Sequence, residues 1–175
     1  LVDNNDNVWV GTRNFGLFCI DSSTNEIIEW GENSFTDKYI TCLFQSDDGT
    51  IWIGTNNNGV QFIDKNSQTP THLTLDVTLL NCTVCNIIAD NSNCVWFSTN
   101  QGLYRYNRTR NEITRFTAED GIPSNQFNFA SGILASNGML YFGSVNGLIS
   151  FNPDMISTHH QQFDVLIMLP AHLVR

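Results

Sequence analysis

The chain reads as all-β, and three observations carry that reading. A short strand centred on an aromatic residue recurs four times, as Val8-Trp9-Val10-Gly11-Thr12, Ile51-Trp52-Ile53-Gly54-Thr55, Val95-Trp96-Phe97-Ser98-Thr99 and Leu140-Tyr141-Phe142-Gly143-Ser144, with the aromatics 43, 44 and 45 residues apart. Each copy is followed by a Gly and an aliphatic residue opening a second strand (Gly16-Leu17, Gly59-Val60, Gly102-Leu103, Gly147-Leu148), and each is preceded by a cluster of Asn, Asp, Ser or Gly. Helical periodicity is absent throughout. A repeat of this length built from short strands and tight turns is the signature of a β-propeller blade. The predicted fold is therefore a β-propeller fragment of about four blades, each a four-stranded antiparallel sheet, forming an incomplete ring.

Residues 1–38 read as a partial blade, because the sequence opens inside the turn Asn4-Asn5-Asp6-Asn7 and has no inner strand. The second blade, 39–80, is predicted to have strands at 39–46, 50–55, 59–64 and 71–76. The third, 81–120, has them at 83–90, 94–99, 102–107 and 111–117. The fourth, 121–156, has strands near 128–135, 139–144 and 147–151, and its outer strand is left unassigned. Residues 157–175 form a divergent tail, in which 163–169 is a candidate outer strand. Asn, Asp and Gly tolerate the positive φ of tight hairpins, so each cluster joins two antiparallel neighbours. The aromatic-centred strand is apolar on both faces, as a sheet sandwiched between neighbouring sheets must be. The Gly or Ser two residues after the aromatic makes room for a bulky group opposite, and Cys42, Asn86 and Ser131, ten residues before the aromatic, fall on the crowded innermost strand. An incomplete ring leaves open faces, which are expected to seek missing blades or a second copy.

Composition narrows the function. Eight Lys and Arg against 17 Asp and Glu give a net charge of −9, a field that repels phosphate backbones and anionic lipid, so neither nucleic acid nor a membrane surface is an expected partner. The longest strongly apolar run, 165–169, is far short of the roughly 20 residues that span a bilayer. Five cysteines are an odd number in a chain too large to need a disulfide framework, and Cys82-x-x-Cys85 has no second pair at zinc-ribbon spacing, so all five are read as buried, inert thiols. His72, His159, His160 and His172 show no ligand spacing, and the acidic turns lack the alternating oxygen ligands of a calcium loop. No metal or cofactor is expected.

The strand wording is specific enough to carry a resemblance. Trp52-Ile53-Gly54-Thr55 followed by a Gly-led, Asp-terminated strand resembles the two-component regulator propeller repeat, found in periplasmic regions of Bacteroides-type hybrid sensor histidine kinases. The stretch 120–128, Asp-Gly-Ile-Pro-Ser-Asn-Gln-Phe-Asn, with Tyr141-Phe142-Gly143 and the Phe151-Asn152-Pro153-Asp154 ending, resembles the final blade of those sensors. The resemblance covers residues 1 to about 156. It implies a periplasmic, membrane-anchored receptor whose propeller responds to oligosaccharides and whose kinase lies elsewhere in the protein. The turn holding Ser46, Asp48, Gly49 and Trp52 is also similar to the Asp-box turns of sialidase propellers, one residue short.

Among candidate sites, Trp9, Trp52 and Trp96 share one repeat position and read as core. Trp30 lies outside that position and is a candidate sugar-stacking platform. Asp120, Asn125, Gln126 and Asn128 lie in the connection into the last inner strand, where a loop on a rigid scaffold can face a ligand. Arg105, Arg108, Arg110 and Arg115 cluster on the outer strands of the third blade, either as a solvated face or as a carboxylate site. No nucleophile-base-acid set or phosphate-binding Gly loop is present, so the segment is not expected to be an enzyme. A propeller lyase or glycosidase, which needs convergent His, Tyr or carboxylates, and a scaffold propeller for protein partners are the competing readings, since propellers host all three functions.

Overall fold

A computed structural model describes residues 1–31, 37–64, 67 and 69–156. The chain divides into two compact units, Leu1–Ile87 and Ile88–Arg175. Its strands form four antiparallel sheets, each a meander of sequence-consecutive strands. The first blade comprises β1 (Val8–Gly11), β2 (Leu17–Ile20) and β3 (Ile27–Trp30). The second comprises β4 (Ile40–Gln45), β5 (Ile51–Thr55), β6 (Val60–Ile63) and β7 (Thr71–His72). The third comprises β8 (Val84–Ala89), β9 (Cys94–Thr99), β10 (Gly102–Asn107) and β11 (Glu112–Phe116). The fourth comprises β12 (Phe127–Leu134), β13 (Leu140–Ser144) and β14 (Gly147–Phe151). The ordered segments outside the strands include three short 3-10 turns, at Leu79–Asn81, Ala118–Asp120 and Pro153–Met155.

Most strand boundaries fall within a residue of the sequence prediction, with two exceptions. The outer strand of the second blade, predicted over 71–76, is only Thr71–His72; Asp76 instead accepts hydrogen bonds from the Thr78 amide and hydroxyl, which turns the chain out of the sheet. The first blade has a stub of its inner strand: Val2 bridges Val8, and Leu1 and Trp9 exchange backbone hydrogen bonds. Cys82, just ahead of the predicted strand 83–90, caps the turn at Leu79–Asn81. The candidate outer strand 163–169 lies outside the described residues, as do His159, His160 and His172.

In the first unit the core is the sandwich of blades one and two, built from Trp9, Leu17, Cys19, Ile40, Ile51, Ile53 and Ile63, all buried. The repeat glycines explain how closely strands approach. A Cβ on Gly11 would lie 2.5 Å from Ile40 Cγ2, and one on Gly54 would lie 2.5 Å from Cys42 Sγ and 2.9 Å from Val84 Cγ1. The room at Gly11 is taken by the inner strand of the following blade, and the room at Gly54 by the inner strands of both its own blade and the following one. Burial pushes the Cys42 thiol up to about 12 and the Cys85 thiol up to about 11, and all five cysteines are free. In the second unit a file of aromatics forms the core: Trp96 lies 5.8 Å from Phe116 and 5.0 Å from Phe151, which stacks on Phe142 at 6.3 Å, and Phe142 meets Phe127 edge-on at 6.1 Å.

Candidate functional site

Two repeated hydrogen-bond devices stiffen the blade ends, the first in three blades and the second in all four. At one end, the indole N–H donates to a residue six positions upstream in the preceding turn: Trp9 to Asp3 Oδ2 at 2.8 Å, Trp52 to Ser46 Oγ at 3.1 Å, Trp96 to Asp90 Oδ2 at 2.8 Å. The same turns hold themselves closed, with Asp3 Oδ1 accepting from the Asn5 and Asn7 amides and Asp90 Oδ1 from those of Ser92 and Cys94. Burial raises the Asp3 pKa, but these donors outweigh it and hold the carboxyl below its usual value. Ser46 also donates to Asp48, so the Asp-box-like turn is bonded through its serine. At the other end, the hydroxyl closing each central strand donates to the Gly carbonyl opening the next: Thr12 to Gly16, Thr55 to Gly59, Thr99 to Gly102, Ser144 to Gly147.

The predicted loop residues sit at this second end of the fourth blade, and their side chains mostly serve the loop itself. Asp120 closes a capping box by accepting from the Thr117 amide and hydroxyl. Asn125 Oδ1 accepts from the Ala118 amide at 2.7 Å, and Asn128 Nδ2 donates to the Ser144 carbonyl at 3.2 Å. Gln126 is exposed, and its carbonyl accepts from the Val145 amide. The loop is therefore a tied, polar rim joined to the β13–β14 hairpin, and Asn146 adds a bond to the Pro123 carbonyl. Sequence reasoning missed its neighbour Phe129, 56% exposed beside a break in the β12–β13 register, where Ala130 adopts φ 50°. A non-Gly residue at positive φ stores strain, and a bulge of this kind re-aims its neighbours.

Trp30 lies in the other unit, apart from these four residues. It closes the outer strand of the first blade, 5.0 Å from Trp9, with its ring half-buried and its indole N–H buried without a partner among the described residues. It lines a cleft of about 440 Å³. The walls are the turns at the tryptophan-bonded end of both blades: Asn4 and Asn5 from the first, Gln45, Asp47 and Asp48 from the second, with Asp64 beyond. Among the described residues, four Asp and no Lys or Arg line it, together with Ile51, Ile63, Trp9 and Trp30, so these residues disfavour anions and offer acceptors, amides and apolar and aromatic surface.

The arginine cluster divides. Arg105, 9% exposed, lies over the rings of Trp96 and Phe116 and donates to the Ile156 carbonyl. Arg115 lies over Tyr104 and donates to the Gln101 carbonyl. These two are packing residues rather than a solvated face. Arg105 and Arg110 line a second cleft, of about 310 Å³, together with the carboxylates of Asp90, Glu112 and Asp154. Among the described residues, no group of three or more His, Cys, Asp or Glu is placed to share a metal ion, and no helix is long and apolar enough to cross a membrane.

Residues 34–57 match the two component regulator propeller family. A histidine kinase, P4, of Formosa agariphila is 36% identical over 84 residues, 48% of this chain and 6% of the kinase. Among solved structures, the extracellular domain of a hybrid two component system from B. thetaiotaomicron is similar at TM-score 0.71 and 23% identity, over 91% of this chain and 21% of that one. Virginiamycin B lyase from Staphylococcus aureus is similar at TM-score 0.68 and 20% identity, over 88% of this chain and 51% of the lyase. The chain thus spans a small part of the kinase it matches, and the structural likenesses establish a propeller fold.

Proposed function

We propose that this chain, a run of two-component regulator propeller repeats, is a ligand-sensing segment of an extracytoplasmic two-component sensor, and that its ligand is a neutral oligosaccharide. The observation that carries the reading is the Trp30 cleft: an aromatic face, with an indole N–H that has no partner among the described residues, on a wall that combines Asn, Gln and Asp side chains with Trp9, Ile51 and Ile63. Pyranose rings present apolar C–H faces and many hydroxyls, and such a wall offers a stacking surface together with donors and acceptors. Four carboxylates weigh against an acidic saccharide. The polar rim at Asp120, Asn125, Gln126 and Asn128 is the second place for contact, with Gln126 the freest to turn toward a ligand.

The segment itself is read as non-catalytic, with kinase chemistry belonging to the larger receptor. The likeness to virginiamycin B lyase is one of fold at 20% identity. Titration calorimetry against a panel of neutral oligosaccharides tests the proposal. At least one should bind, and Trp30→Ala should weaken it at least tenfold while Gln126→Ala changes it little. Binding by no member of the panel, or undiminished binding by Trp30→Ala, overturns it.

A further inference from the structure

Opposite the central aromatic, the third blade departs from the other three. In register, Cys19 faces Trp9, Phe62 faces Trp52 and Ser150 faces Tyr141, whereas Trp96 is faced by Arg105. The repeat thus needs no charge at this position, yet the third blade buries one, with Arg105 only 9% exposed. A buried charge is costly unless it is paired and hydrogen-bonded. The rings of Trp96 and Phe116 and one bond to the Ile156 carbonyl supply part of that need. Among the described residues the guanidinium meets no carboxylate, and its Nε–H is buried without a partner.

The cleft of about 310 Å³ that Arg105 lines shows what could complete the set. Asn107 and Glu112 form one register row of its wall, and Arg105 and Thr114 the next. Asp90 already has both oxygens engaged, by the Trp96 indole and by the Ser92 and Cys94 amides. The other charged groups are less committed. Arg110 and Glu112 are exposed, and neither side chain has a hydrogen bond or ion pair among the described residues. Asp154, also exposed, accepts from the Ser92 hydroxyl through one oxygen and keeps the other. The cleft therefore holds two cations and two carboxylates that do not neutralise one another. A simple anion meets the carboxylates there and a simple cation meets the guanidinium groups, so the matching ligand carries both signs.

We propose that this cleft binds a small zwitterion, a free α-amino acid or a dipeptide. Its carboxylate pairs with Arg105 and Arg110, and its ammonium group with Glu112 and Asp154. A guanidinium fork fits the two oxygens of a carboxylate, and the volume is at the small end for ligand sites. The site lies wholly in the second unit and does not rest on the oligosaccharide reading of the Trp30 cleft.

Titration calorimetry with the proteinogenic amino acids and the dipeptides Gly-Gly and Ala-Ala tests this. At least one should bind, and its N-acetylated and C-amidated forms should each bind at least tenfold more weakly. Arg105→Lys keeps the charge but loses the fork and should weaken binding at least tenfold. The exposed Arg110→Gln and Glu112→Gln variants should each weaken it at least threefold, and these two decide the matter if Arg105→Lys loses its β-sheet circular dichroism. Binding by no member of the panel, undiminished binding of either capped form, or undiminished binding by Arg110→Gln and Glu112→Gln overturns the proposal.

Discussion

The third and fourth blades share a unit and a repeat, yet hold their central aromatic differently. In the third, Trp96 is fully buried and its N–H is satisfied by Asp90, six residues upstream. In the fourth the aromatic is Tyr141, half-buried, and the residue six upstream is Ala135. A buried indole N–H without an acceptor is costly, whereas the hydroxyl of a half-buried tyrosine can reach water. The turn acceptor is thus present in the three blades that have a tryptophan and absent in the one that does not.

That comparison can be broken by mutation. The largest effect expected is from Asp90→Ala, which strands the Trp96 N–H and removes the acceptor for the Ser92 and Cys94 amides; denaturant unfolding should show a loss of about 2–3 kcal/mol. A loss below about 0.5 kcal/mol would show that neither the indole bond nor the turn bonds of Asp90 carry the blade's stability. A smaller effect separates the repeat glycines. Gly54→Ala places a methyl 2.5 Å from Cys42 Sγ and should cost about 1–3 kcal/mol, while Gly143→Ala, with its nearest neighbour at 3.1 Å, should cost less than half as much in the same assay. Equal costs would contradict the view that the fourth blade's aromatic side is the looser one.

The blades were legible in the sequence because the repeat imposes the same local chemistry four times: turn residues where φ must be positive, an aromatic between two apolar residues, and a glycine or serine where a strand comes close. The tryptophan pairing was open to the same reading, since Asp3, Ser46 and Asp90 stand at one offset, but that offset joins a turn to a side chain across a strand and has no periodicity of its own. The short β7 was not legible, because the extended pattern of 71–76 competes with an Asp76 turn decided by side-chain bonding. Gln61 was not either. It takes the position held by Phe18, Tyr104 and Ile149 in the other blades, and is fully buried opposite His72, whose pKa burial lowers. Of the proposed site, Trp30 stands out in the sequence because it breaks the repeat. Its cleft does not, since the walls come from turns of two blades whose residues each looked sufficient as hairpin chemistry. The four loop residues drew attention as a dense polar cluster, and three of them proved to be bonded to their own backbone surroundings.

The account places ligand binding at the tryptophan-bonded ends of the first two blades. Amide hydrogen exchange with and without a bound neutral oligosaccharide tests that most directly. Slowed exchange is predicted in the turns at 3–7 and 45–49 and at Trp30, with residues 117–128 little changed. Slowing confined to 117–128 would contradict it.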